Sequence, residues 1–316
     1  MSPHSLQKAV IHVSTANHGL IAEALRGRGL DTDYAVGRLA SSSFVSRRHR
    51  YLYVETPKAA CTQMKHFIAG LEGANFGFRG APYLRETRLQ MLIHQRLHFK
   101  MPTVMDLETD EVRAILSGRS DYLIFALVRN PFSRLVSAFE SKVRLREPGF
   151  SSHSKRWTAL EAGSDVRATF ADFVREAIDL YGRQMREHHF MPQHELLLPE
   201  LLPYSRVFRL EEFAAFEEAF FAHLRNRGVL GKLAFQERNR SYYPNWRLYY
   251  DEPTARRVAA FYARDFELYG YDVDSWQLDH APPPLLTTQS DAYWRQAVIE
   301  RNEMIEFLYD RMRSRY

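Results

Sequence analysis

Cysteine is almost absent: Cys61 is the single one in 316 residues, which excludes an intrachain disulfide framework and a cysteine-based zinc site. Lysine is scarce as well, 7 against 36 arginines among 43 basic residues, a skew of the kind that genome composition produces. Long apolar runs are missing. The longest strongly apolar stretch, Tyr122–Val128, has seven residues, far short of the ~20 that cross a bilayer. The N-terminal stretch Met1–Gly19 lacks the sustained apolar core of a secretory signal. A large excess of one charge is lacking too. A formal net charge of +5, with acidic residues interspersed, gives no broad phosphate-tracking surface, so nucleic acid is not an expected partner. What is present is a chain 45% hydrophobic and 13% aromatic, able to bury a sizeable core. A cytoplasmic, globular protein that does not span a membrane is the expectation.

The charge is uneven. Residues 1–150 carry 21 Lys+Arg and 13 Asp+Glu, a net of +8, and residues 151–316 carry 22 and 25, a net of −3. An anionic ligand held by the N-terminal half is consistent with this. Pro282-Pro283-Pro284 separates a main domain, 1–281, from a C-terminal extension, 285–316. Asp291–Arg313 reads as one helix with Trp294, Val298, Ile305 and Leu308 on its apolar face, packing on the main domain or on a second subunit as a homodimer. Elsewhere strand and helix patterns alternate, which predicts an α/β fold with a mostly parallel central sheet flanked by helices.

Two strand–turn–helix patterns carry the chemistry. In the first, a strand over Tyr51–Glu55 meets Thr56-Pro57-Lys58-Ala59-Ala60-Cys61, and a helix follows from about Thr62 to Leu71. Small side chains let an anion reach the backbone N–H groups, and the helix start supplies unpaired donors and partial positive charge. Lys58 adds a mobile charge and Thr62 a hydroxyl. The pattern is not GxxxxGK[ST], because it has no glycine and Lys58 precedes the small residues. An ordinary turn with a surface lysine is the competing reading. In the second pattern, Arg129 follows the apolar strand Tyr122–Val128, a helix begins near Pro131, and Ser137 lies about one and a half turns into it. Leu135, Val136, Phe139 and Val143 face inward. Ligands of open α/β sheets bind beyond the carboxyl ends of the strands, and an Arg fork with a Ser hydroxyl suits a terminal phosphate. Arg129 pairing with a carboxylate is the plain alternative. A third strand is expected at Arg206–Leu210, leading into a helix through Phe220 and Leu224.

These residues resemble a family. The first pattern is similar to the 5′-phosphosulfate loop of sulfotransferases. The other pattern resembles their 3′-phosphate motif, with Arg129, Arg134, Ser137 and Phe139 at its positions. The similarity is greatest to the carbohydrate O-sulfotransferase branch that includes the chondroitin, dermatan and HNK-1 enzymes (sulfotransferase family 2). Pro57–Lys65 resembles that branch's PKVACTNWK, and Leu127–Val143 its FVREPFERLVSAYRNKF. His189-Phe190-Met191-Pro192-Gln193 resembles its His-Trp-x-Pro-Gln, and Asp265–Tyr271 its DFELFGY. The resemblance runs over about residues 50–272 in the same order. It implies a P-loop-like sulfotransferase fold, the donor 3′-phosphoadenosine 5′-phosphosulfate, and transfer of a sulfuryl group to a hydroxyl of a carbohydrate or glycolipid. The Golgi enzymes' anchor and lumenal cysteines are missing, which suggests a bacterial-type cytoplasmic relative.

The resemblance implies roles residue by residue. Lys58 would stabilise the leaving phosphate, and the N–H groups of Ala59, Ala60, Cys61, Thr62 and Gln63 would hold the 5′-phosphate. Arg129 and Ser137 would hold the 3′-phosphate, with Arg240 a further donor contact. His94 or His98 would take the acceptor proton, and His189 would orient the acceptor. No metal is required. The run Arg47-Arg48-His49-Arg50 is a solvated flank of the first strand or meets an anionic glycan. Glu147–Arg167 and the C-terminal helix are where acceptor contacts are expected. Two other classes stay open: a nucleotide-dependent kinase, distinguished by magnesium and ATP dependence, and a non-catalytic binder of sulfated or phosphorylated ligands.

Overall fold

A computed structural model of the protein describes residues 15–73, 92–94, 101–148, 150, 157, 161–231, 233–235, 245–280 and 284–313. Along the chain the elements are α1 (Thr15–Ala24), α2 (Thr32–Ser42), β1 (Ser43–Ser46), β2 (Tyr51–Val54), α3 (Cys61–Leu71), α4 (Thr109–Leu116) and β3 (Leu123–Val128). Next come α5 (Pro131–Ala138), α6 (Val166–Asp179), α7 (Gln193–Leu197), β4 (Arg206–Arg209) and α8 (Phe213–Asn226). Then follow α9 (Glu252–Phe261), α10 (Ala263–Tyr269) and α11 (Gln289–Arg313). Two compact units result: Met1–Val128 with Gln193–Arg240, and Arg129–Pro192 with Ser241–Tyr316.

The first unit is built on a four-stranded sheet in the order β1-β2-β3-β4. β1 pairs antiparallel with β2, while β2–β3 and β3–β4 are parallel, with Leu52 opposite Ile124 and Leu127 opposite Phe208. β3, Leu-Ile-Phe-Ala-Leu-Val, is apolar at every position because it is central and covered on both faces. This is the α/β arrangement with a mostly parallel sheet that the alternating pattern predicts. Met64 and Ile68 of α3 and Phe216, Phe220 and Leu224 of α8 pack with Tyr51, Tyr53 and Phe125 of the sheet. Rings supply much of that core: Phe125 lies 5.3 Å from Tyr53 and 4.9 Å from Phe220 between centroids. The i, i+4, i+8 spacing on α8 puts its three apolar residues on one stripe, the geometry that lets a helix lie on a sheet.

The second unit has its core among α5, α6, α9 and α10, around Phe132, Phe139, Phe170, Phe173, Tyr250 and Phe266. α5 continues into a π-helical turn, Phe139–Arg144, and the four residues expected to face inward are all buried. The apolar face expected for α11 is different from the one observed. Trp294 and Leu308 are exposed, and Arg295, Ile299 and Asn302 make the buried stripe instead. The reason is polar. Arg295 donates through both terminal nitrogens to Glu140 Oε2 at 3.1 Å, and Asn302 donates to the Leu145 carbonyl at 2.7 Å. Among the described residues no helix is long and apolar enough to cross a membrane.

Candidate functional site

β2 ends one residue before Glu55, and the chain then turns sharply into α3. Lys58 and Ala60 both have left-handed backbones, at φ 68° and 58°. Non-glycine residues adopt this region at a cost of about 1–2 kcal/mol each, and such positions cluster at ligand sites. Alternating backbone handedness in a turn points successive N–H groups into one concavity, the geometry of an anion nest. α3 begins without a side-chain cap: Ala60 occupies the cap position and offers no oxygen. Thr56, wholly buried at the turn, has a hydroxyl with no partner among the described residues. Backbone donors, an orphaned hydroxyl and the half-buried Lys58 together fit an anionic group such as a phosphate.

A second layer backs this turn. Lys65, one turn after Thr62 on α3, is buried and its Nζ lies 2.5 Å from Glu55 Oε2. The same Nζ lies 3.2 Å from His94 Nδ1, and His94 Nε2 lies 2.9 Å from Thr62 Oγ1. His94 itself is exposed, on a short turn at Leu92–His94. Arg38 fixes the base of the turn: buried on α2, it donates to the Leu196 carbonyl at 2.9 Å, to Ser42 Oγ and to the Glu55 carbonyl. Sequence reading missed Lys65 and Glu55 as members of the site. The signal for Lys65 was its i+3 spacing from Thr62 in a chain that rarely uses lysine.

The second pattern behaves differently. α5 is capped by its own side chain, Asn130 accepting from the Phe132 N–H at 3.0 Å, with Pro131 in the first turn. Arg129 is half-buried and donates through Nε to Ser133 Oγ at 2.9 Å. Ser133 and Ser137 are four residues apart on α5 and share a face, so Arg129, Ser133 and Ser137 follow one line. Ser133, absent from the sequence reading, orients the guanidinium. Arg134 points inward. It is buried and donates to the Met191 carbonyl at 2.7 Å and the His188 carbonyl at 3.0 Å, which fastens the His189 segment to α5.

His189 is half-buried, with Nδ1 2.6 Å from Glu187 Oε1. Burial pushes the Glu187 carboxyl up to about 7, against the opposing pull of the His189 N–H and the Lys142 ammonium. Glu187, also missed, is an orienting partner for His189. His98 and Arg240 lie outside the described residues, as does most of the stretch between 149 and 160. The arginine run after β1 is only partly a solvated flank. His49 is buried against Glu72, at 2.8 Å, because the turn tucks it under Ser46, and Arg47 and Arg50 pair with Glu111 and Asp121.

Two groups bring three potential metal donors within 4.8 Å of one another: Glu55, Cys61 and His94, and Glu187, His188 and His189. In the first, the Lys65 ammonium already pairs with two of the three members. In the second, Glu187 and His189 bond to each other.

Residues 41–272 match the model of the sulfotransferase family. Carbohydrate sulfotransferase 10 of Xenopus laevis is 28% identical over 248 residues, 72% of this chain and 66% of that protein. Carbohydrate sulfotransferase 8 of Homo sapiens is 28% identical over 214 residues, covering 64% and 47% of the two chains. Carbohydrate sulfotransferase 14 of Homo sapiens is 31% identical over 179 residues, covering 54% and 43%. The chain thus spans about two thirds, or less, of the length of these relatives. No solved structure matches it at comparable significance.

Proposed function

Because the chain belongs to the sulfotransferase family, we propose that it transfers a sulfuryl group from 3′-phosphoadenosine 5′-phosphosulfate to a hydroxyl of a carbohydrate or glycolipid. The observation that carries this reading is the glycine-free turn at Lys58–Ala60, left-handed at two residues and opening onto the uncapped start of α3. When bound, the donor supplies an activated sulfuryl group and a phosphate leaving group. The chain's own task is positioning and charge stabilisation, which carry most of the catalysis in such in-line displacements.

The N–H groups of Ala60–Gln63 hold the 5′-phosphate, and Lys58 stabilises the charge that builds on it; the Ala59 N–H, expected to join them, already donates to the Thr56 carbonyl at 3.2 Å. Arg129, held by Ser133, and Ser137 hold the 3′-phosphate. The acceptor proton needs a base held by an orienting partner. Among the described residues, His189 with Glu187 has such a pairing, as does the buried His49 with Glu72: with Nδ1–H donating to the Glu187 carboxyl oxygen, the ring's lone pair lies on Nε2. We assign this pair to the acceptor side. His98 is a second base candidate, and His94 has both ring nitrogens engaged.

The test is incubation with labelled donor and a glycan library, read by adenosine 3′,5′-bisphosphate release and by the mass gain of one SO3. Lys58→Ala is expected to lower transfer at saturating donor on the order of 10³-fold, as removal of a main charge stabiliser does. Unchanged turnover in that variant would sink the assignment. Tight product binding without transfer to any acceptor would favour a non-catalytic binder, and magnesium-dependent use of ATP a kinase.

A further inference from the structure

The four side chains behind the turn form a directed chain, Glu55–Lys65–His94–Thr62, all within the first unit. Its direction follows from what each group can donate. The Lys65 ammonium is donor-only, so at 3.2 Å from His94 Nδ1 it makes that nitrogen the acceptor. A neutral imidazole carries one N–H, which then sits on Nε2 and donates to Thr62 Oγ1 at 2.9 Å. With its oxygen accepting from His94, the Thr62 hydroxyl directs its own proton to another acceptor. Thr62 is the second residue of a helix whose start has no side-chain cap, where the proposed function places the 5′-phosphate.

We propose that His94 is a positioning residue: relayed from Glu55 through Lys65, it fixes the Thr62 hydroxyl as a hydrogen-bond donor to the 5′-phosphate of the sulfuryl donor. This rests on the functional reading above and deepens it. It also removes His94 from the role of general base. A base must offer a lone pair to the acceptor hydroxyl, and in this arrangement the lone pair of His94 points at an ammonium. The buried Lys65 has a use here as well. Its ammonium lies over Phe44, with Nζ 5.3 Å from the ring centroid, and is paired with Glu55, so the tautomer of an exposed histidine is set from beneath.

Positioning and base roles separate on one substitution. Glutamine presents a carbonyl oxygen and an N–H in place of Nδ1 and Nε2, so it can accept from Lys65 and donate to Thr62, yet it cannot take a proton. The experiment measures adenosine 3′,5′-bisphosphate affinity by calorimetry, and donor KM and kcat by product release, on the full chain. His94→Ala and Thr62→Val are each expected to weaken nucleotide affinity and raise donor KM by roughly 10- to 100-fold, the loss of a hydrogen bond to a charged group. His94→Gln and Thr62→Ser should restore most of it. The double variant His94→Ala/Thr62→Val should be no worse than either single one, because the two act through one contact. His94 is exposed, so its substitution leaves the core intact. A His94→Gln as slow as His94→Ala, with nucleotide affinity unchanged in both, would overturn the proposal in favour of a base. Additive losses in the double variant would overturn it equally. Absence of transfer by the unsubstituted protein would instead count against the functional reading, and the affinity measurements would still decide the role of His94.

Discussion

Two helix starts in this molecule are built in opposite ways. α3 follows a turn with left-handed residues at Lys58 and Ala60 and has no side-chain cap. α5 follows Arg129 and is closed at once by Asn130, with Pro131 needing no N–H partner. A helix start left open keeps donors for a ligand, and one that is capped has already used them. Hence the first pattern can hold an anion with its backbone, whereas in the proposed function the second is left with side chains, Arg129 and Ser137. The charges behind the two starts differ in the same sense. Behind α5 and its π-helical turn they are turned inward: Glu140 accepts from Arg144 at 2.7 Å, Tyr249 at 2.7 Å and Arg295 at 3.1 Å, all buried.

The largest expected effect breaks that inward network. Glu140→Ala leaves the Arg144 and Arg295 guanidiniums buried without their carboxylate and is expected to cost about 3–5 kcal/mol of stability. Urea unfolding reads it as a lowered midpoint. Arg295→Met should cost less, since Glu140 keeps Arg144 and Tyr249. A loss below about 1 kcal/mol in Glu140→Ala would mean that the network is not what fastens α11 to its unit.

That network also marks how far the sequence was legible. β3 and α3 were readable because each is defined by local periodicity, an unbroken apolar run in one case and the i, i+3, i+4, i+7 spacing of Met64, Phe67, Ile68 and Leu71 in the other. The turn at Lys58 was readable from composition and order. The docking face of α11 was not, because periodicity weighs apolar residues and the helix is held by Arg295 and Asn302, with Trp294 left outside. β1 was missed for a related reason: four residues, two of them serine, leave no pattern until β2 lies beside them. Glu55, Lys65 and Ser133 escaped because each acts on a site residue through space.

The next effect in size concerns Glu187. Its carboxyl is raised by burial from 4.5 in the unfolded chain to about 7 in the folded one. The protonated form is therefore favoured by folding. That contribution is fully present below about pH 4.5 and is lost as pH rises through about 7, at most ~3 kcal/mol over the window. Melting curves from pH 5 to 8 should show stability falling in the unsubstituted protein and a flatter profile in Glu187→Gln. Parallel profiles would mean that His189 compensates the buried charge in full. Asn130→Ala comes next and tests the cap itself. It is expected to cost about 1 kcal/mol, the usual value of an N-cap. The Asn130 amide also donates to Ser275 Oγ at 2.9 Å, so Asn130→Asp, which keeps only the cap, separates the two contributions.

The smallest effect belongs to the open helix start. Ala60→Gly removes the left-handed cost of a β-carbon, about 1–2 kcal/mol, but it also loosens the unfolded chain, which costs about 0.4–1 kcal/mol. The two terms oppose, so thermal stability should change little, rising by at most about 1.6 kcal/mol. Nucleotide affinity should hold as well, because glycine keeps the same N–H in the same conformation. Asn130→Ala, by contrast, should lower stability without any opposing term of that kind. If Ala60→Gly instead gained stability well beyond this while losing affinity, the turn would be strained for binding, and its left-handed residues would matter for more than the direction of their N–H groups.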